Sequence, residues 1–145
     1  MNRDPDIDHV ARALQVSIGL LLRRMRQARP AGELTTPESA ALARLDRGGA
    51  ATSSALAKLE QISPQSMGAT LAGLEARGLI ERRADPEDGR RAVLSVTEAG
   101  LQALRNKRDA RTEQLAQALS TGFTEAELTQ LMAAAPLLER LAQSI

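Results

Sequence analysis

The chain has 145 residues, 43% of them hydrophobic, enough for the core of one ordinary domain. Nineteen basic residues against 18 acidic ones leave a net charge of +1, so only the distribution of charge can point to a partner. The lack of cysteine excludes disulfides, thiol redox sensing and Cys-rich zinc sites, and the single histidine, His9, argues against a His-based metal site or a catalytic triad.

The first helical pattern covers residues 8–28. Val10, Leu14, Ile18, Leu21, Leu22 and Met25 recur at steps of three and four and form one apolar stripe. Arg23, Arg24, Arg26 and Arg29 crowd its C-terminal end, where cations complement the helix dipole, and Pro30-Ala31-Gly32 breaks it. A second helix opens at Thr36-Pro37-Glu38, with Thr36 as the N-cap; Ala41, Leu42 and Leu45 face inward, and Gly48-Gly49 ends it. A third, short helix follows Thr52 and buries Ala55, Leu56 and Leu59. Ser63-Pro64 repeats the pattern of cap and proline for a fourth helix reaching Arg77. Met67, Leu71 and Leu74 share one of its faces, and Gly78 ends it by adopting positive φ.

The period then changes. Residues 79–83 and 91–96 read as two strands, and the second alternates Ala92, Leu94 and Val96 against Val93 and Ser95. The loop between them holds Pro86 and Asp88-Gly89, both turn signals, so the pair is a hairpin. Thr97 caps a long fifth helix from Glu98 to about Leu119, with Leu101, Leu104, Leu115 and Leu119 as its apolar face. Thr124-Glu125-Ala126-Glu127 is a capping box for a last helix carrying Leu128, Leu131, Met132, Leu138 and Leu141; Pro136 should kink or interrupt it.

Two short helices joined by a tight turn around Gln61-Ile62-Ser63 and followed by a hairpin are the parts of a winged helix-turn-helix. The expected fold is mainly α with a small β-hairpin wing (α+β). Residues 1–34 supply an N-terminal dimerisation helix, 35–98 the DNA-binding module, and 99–145 the C-terminal dimerisation helices of one structural domain. The helix from Ser63 is the recognition helix. With Met67, Leu71 and Leu74 inward, it offers Gln65, Ser66, Ala69, Thr70 and Gly73 outward. Small side chains let a helix sit deep in a major groove about 12 Å wide; Gln pairs bidentately with adenine, and Ser and Thr reach base edges or phosphates. The bland alternative is a solvated face of ordinary polar residues. In the hairpin Arg82, Arg83, Asp88, Arg90 and Arg91 are candidate DNA-binding residues, and an arginine at a loop tip can enter the minor groove, about 6 Å wide. Residues 77–91 hold five arginines against four acids, so a self-neutralising turn is the competing reading; the sharper one is that Asp88 pairs with an arginine and aims it.

The run Leu74-Glu75-Ala76-Arg77-Gly78-Leu79-Ile80-Glu81-Arg82, then Asp85-Pro86-Glu87-Asp88-Gly89-Arg90-Arg91, then Val96-Thr97-Glu98-Ala99-Gly100 resembles the MarR family of bacterial transcription regulators. The Asp-x-Arg of the wing and the Thr-x-x-Gly opening the next helix are its most specific parts; Val96 stands where the family usually has Leu. The resemblance spans essentially the whole chain. It implies a triangular homodimer held by the terminal helices, bound to a roughly palindromic operator of double-stranded DNA and usually repressing. It assigns the wing arginine to Arg90 with Asp88 as partner, and the recognition helix to residues 63–77. Members that sense oxidants do so through cysteine, a branch this chain cannot join.

Two apolar stripes far apart in sequence suit arms that pack on each other and on a second copy, placing recognition helices about 34 Å apart. The basic runs Arg23, Arg24, Arg26, Arg29 and Arg105, Lys107, Arg108, Arg111 are solvated faces, flanks of the DNA or the lining of a cavity for a small anionic effector. The expected partners are therefore double-stranded DNA, a second copy and a small molecule; no cofactor is implied. Residues 16–22, the longest nearly uncharged apolar stretch, cannot span a bilayer, and acidic residues 1–6 do not make a signal peptide, so the default location is cytoplasmic. The rival reading is a helical protein-interaction module, since residues 36–97 hold eight basic and eight acidic residues. No phosphate loop and no paired-carboxylate or nucleophile-and-base arrangement supports an enzyme.

Overall fold

The computed structural model describes residues 6–145. The elements run α1 (Ile7–Gln27), α2 (Thr36–Gly48), α3 (Ser53–Glu60), α4 (Pro64–Ala76), β1 (Ile80–Ala84), β2 (Ala92–Val96), α5 (Glu98–Gly122) and α6 (Glu125–Gln143). This is the expected winged helix-turn-helix order. The reading of residues 1–6 as unlike a signal peptide rests, up to Pro5, on residues outside those described.

Two units are separated within α5, one ending at Lys107 and the other spanning Arg108–Ile145. The first unit has a continuous core. Leu42 and Leu45 of α2, Leu56 of α3, Met67, Leu71 and Leu74 of α4, Leu94 of β2 and Leu104 of α5 meet in it. Burying a Leu or Met side chain of this kind contributes about 2 kcal/mol of transfer free energy. The hairpin pairs antiparallel from Ile80 with Val96 to Ala84 with Ala92. Ala51, between α2 and α3, adds a bridge on the far side of β2: its N–H donates to the Leu94 carbonyl at 3.0 Å, and the Leu94 N–H donates back at 2.8 Å.

The start of α2 lies one residue earlier than the sequence suggested. Thr35 is the N-cap; its Oγ1 accepts from the Glu38 N–H at 3.2 Å, and Glu38 Oε1 accepts from the Thr35 N–H at 2.8 Å. A capping box needs the carboxylate three residues after the cap, and only Thr35 has that spacing to Glu38. On α3, Leu56 and Ala57 are buried, while Ala55 and Leu59 are exposed, Leu59 by 54%. At about 100° per residue the buried arc runs from Leu56 toward Ala57, which turns the positions on the other side of Leu56 outward. The last helix is continuous through Pro136. Ala133, Ala134 and Ala135, strong helix formers with no bulk beyond Cβ, carry the helix past the missing amide.

No residue of α1 or of α6 is buried. On α1, Val10, Ile18, Leu21 and Leu22 of the stripe are exposed by 46, 37, 51 and 49% while Leu14 and Met25 are half-buried, and on α6, Leu131, Met132 and Leu138 are exposed by 46, 76 and 41%. Both helices thus carry the apolar residues of the sequence pattern with their faces uncovered. Among the described residues, no helix is long and apolar enough to cross a membrane.

Candidate nucleic-acid interface

The turn between α3 and α4 is built by two local devices. Gln61 takes the left-handed conformation, φ 54°, and closes α3; its N–H donates to the Lys58 carbonyl at 3.2 Å, and that of Ile62 donates to Ala57 at 3.1 Å. Ser63 then caps α4, its Oγ accepting from the Ser66 N–H at 3.1 Å, with Pro64 preset for the first turn. The chain reverses within three residues, so α4 starts at the surface with its N-terminal turn open.

Met67, Leu71 and Leu74 fasten α4 to the core. The opposite face carries exposed Gln65, Ser66, Ala69 and Gly73, with Thr70 half-buried at its edge. Ser63 Oγ donates to Ser66 Oγ at 2.9 Å, so the Ser66 hydroxyl keeps its own proton to donate elsewhere. Gln65 is exposed on the first turn, and its side-chain amide makes no hydrogen bond among the described residues. The face combines one long amide with small neighbours, the shape and chemistry that reach a base edge.

The wing is fixed at its base. Thr97 N–H donates to the Leu79 carbonyl at 3.1 Å, Thr97 Oγ1 donates to the Gly78 carbonyl at 2.7 Å, and the Gly100 N–H donates to Thr97 Oγ1 at 3.1 Å. A Cβ on Gly100 would collide with the Leu79 carbonyl oxygen and lie 2.7 Å from Val96 Cγ2. The Thr-x-x-Gly motif is therefore a stitch. Threonine joins the start of α5 to the α4–β1 connection, and glycine permits the close approach.

The arginines divide into three that are tethered and one that is not. Arg82 Nε and Nη2 donate to Glu75 Oε2 at 3.3 and 3.2 Å, tying β1 to α4. Arg83 pairs with Glu81 at 2.7 Å. Arg91 pairs with Asp85 at 3.2 Å and with Asp88 at 3.7 Å. Arg90 is exposed, and its guanidinium has no ion pair among the described residues. The expected contact between Asp88 and the Arg90 side chain is corrected: Asp88 Oδ1 accepts from the Arg90 backbone N–H at 3.1 Å, while its carboxylate lies toward Arg91. An aspartate two residues before an N–H closes an Asx turn, and that local bond outcompetes a flexible side chain. Asp88 thus shapes the tip, and the turn projects Arg90 as a bare cation.

Sequence reasoning missed the partners of these groups. Glu75 and Arg82 lie seven residues apart across a helix end and a turn, a separation with no periodic signature. Arg77, just past α4, donates from Nη2 to the Gly32 carbonyl at 2.9 Å and lies 3.6 Å from Glu38, so it braces the module from behind. Lys107, grouped with the solvent-facing basic run in the sequence, is buried.

The MarR family profile matches residues 33–91, which contain α2 to α4 and most of the wing. An uncharacterized HTH-type transcriptional regulator of Mycobacterium bovis is 34% identical over 129 residues, covering 89% of this chain and 90% of that one. The chain belongs to the MarR family. A putative transcriptional regulator from Pseudomonas aeruginosa, solved by crystallography, superposes with a TM-score of 0.78 at 32% identity over 97% of this chain and 98% of its own. The PcaV regulator from Streptomyces coelicolor, solved in complex with its natural ligand, is 26% identical with a TM-score of 0.54 over 99% of this chain and 97% of its own. As a MarR family transcriptional regulator, the chain has DNA-binding regulation as its function class, and the profile match covers the helix-turn-helix and the wing up to the start of β2.

Proposed function

We propose that this MarR family chain acts as a homodimeric, ligand-responsive repressor that occupies a palindromic operator. The observation that carries the reading is the pairing, in one module with a shared core, of an open α4 face of small polar residues with an arginine at the wing tip that has no ion pair among the described residues. In this arrangement Gln65, Ala69 and Thr70 read the major groove, Ser63 and Ser66 meet a phosphate at the start of α4, and Arg90 enters the minor groove. Arg82, Arg83 and Arg91, each balanced by a carboxylate, set the shape of the wing and add little net charge toward DNA, with Asp88 fixing the turn.

The uncovered apolar faces of α1 and α6 support self-association, because exposed apolar patches of this extent mark interfaces. A symmetric pair places its two recognition helices about 34 Å apart, one turn of DNA. Repression is steric exclusion of the transcription machinery. An anionic small molecule releases it by favouring a dimer with misplaced heads, a reading supported by the ligand-bound relative and by the exposed Arg23, Arg24, Arg26 and Arg29.

Selection of random duplexes by the purified protein tests this reading. Enrichment of an inverted repeat, with affinity that falls steeply as salt rises, is the expected result. Failure to retain any duplex in dilute buffer overturns it in favour of a protein-docking winged helix.

A further inference from the structure

Lysine is almost never fully buried in a folded chain, because removing an ammonium from water is costly unless its protons are satisfied. Lys107 on α5 is only 8% exposed. Its Nζ donates to the Leu34 carbonyl at 2.9 Å and to Ser39 Oγ at 2.7 Å, and Ser39 Oγ passes a hydrogen bond on to the Thr35 carbonyl at 2.9 Å. Leu34 belongs to the connection that brings the chain from α1 into the reading module, and Ser39 to the first turns of α2. Lys107 is also the last residue of α5 belonging to the first unit. One buried cation therefore holds together the segment where the chain enters the DNA-reading module and the helix by which it leaves.

An apolar side chain of the same length would fill this space without desolvating a charge, but it would leave the Leu34 carbonyl and the Ser39 hydroxyl without the donor they have here. What it cannot supply is direction. The ammonium fixes α5 against the carbonyl of one residue and the hydroxyl of another, a geometry that packing alone leaves free to slide. We propose that Lys107 is a positioning residue for operator binding: it locks the two chain connections of the reading module in one arrangement, so that the heads of a dimer present a single spacing to DNA. The inference rests on the homodimeric reading above and adds to it the group that sets half-site separation.

The test compares wild type, Lys107→Met and Ser39→Ala on three duplexes drawn from the selected site. One has the native half-site separation, one is lengthened by two base pairs, and one carries a single half-site. Wild type binds the native separation best. Lys107→Met lowers the native-to-lengthened affinity ratio by about tenfold while single half-site affinity stays within about twofold, a loss of coupling between sites and not of either site. Ser39→Ala, which keeps the Leu34 contact, shifts the ratio in the same direction by less, and it carries the test alone if the methionine variant does not fold. An unchanged ratio in the folded variants overturns the proposal. So does a parallel fall on all three duplexes, which marks a merely structural lysine. Sedimentation of wild type keeps the two readings apart: a monomer refutes the homodimer itself and this inference with it, whereas a dimer that binds all separations equally refutes this inference alone.

Discussion

Arg90 and Gly100 show how differently two residues of one motif region act. Arg90 touches nothing charged among the described residues, so its removal leaves the fold alone. Arg90→Ala is expected to weaken operator binding by about 2 kcal/mol, the scale of a well-placed groove contact, and to leave the denaturation midpoint unchanged. Arg83→Ala, which removes a cation already held by Glu81 at 2.7 Å, is the control and costs much less in a gel-shift titration. Gly100→Ala acts the other way. Its Cβ would run into the Leu79 carbonyl, so α5 must shift, at about 1–3 kcal/mol of stability read by denaturant unfolding. The sequence alone identifies both residues through their motifs. The residues alone say that Asp88 pairs with an arginine, and only the family resemblance assigns it to Arg90; the competition between a backbone N–H and a mobile guanidinium, which turns its carboxylate toward Arg91, is decided only in three dimensions. Lys107 was hidden for a similar reason: its partners, Leu34 and Ser39, lie far upstream, and a lysine among arginines and an aspartate reads as solvated surface.

At the scale of elements, the helices were legible wherever a cap and an apolar period agree. Ser63-Pro64 and Thr124 mark the starts of α4 and α6 as the sequence predicts, since an N-cap is a local interaction between residues three apart. Where two threonines adjoin, at 35 and 36, composition could not choose between them, and the position of Glu38 did. The burial of α3 was misjudged because an eight-residue helix has too few turns to define its inner face by periodicity. The box at α6 also sets a pH response. Glu127 accepts from the Thr124 N–H at 2.9 Å and from its hydroxyl at 3.0 Å, and these bonds hold its carboxyl below the usual glutamate range. A carboxyl depressed in the folded state stabilises α6 above its unfolded pKa, and the contribution is lost as pH falls through the folded value. Acidification below the ordinary glutamate range should therefore fray the first turn of α6. Amide hydrogen exchange at Thr124 checks this, and Glu127→Gln should abolish the pH dependence.

For the whole molecule, the apolar stripes of α1 and α6 were evident from their spacing, but a spacing cannot say what covers them. Within the chain they stay largely open. Leu131→Glu places a carboxylate on one such face. Under the proposed homodimer, sedimentation equilibrium then returns the monomer mass, and affinity for a two-half-site duplex drops by about a hundredfold while single half-site binding persists. An unchanged dimer would relocate the interface away from α6. The stitch of Thr97 to Gly78 and Leu79 has a consequence of another kind, because it closes the hairpin at its root and leaves the seven residues between the strands, 85–91, outside the core. Such a fingertip is interchangeable. It can be lengthened, recharged or traded for another without disturbing the root, so under the proposed reading a new grip on DNA can be grafted onto an unchanged hand.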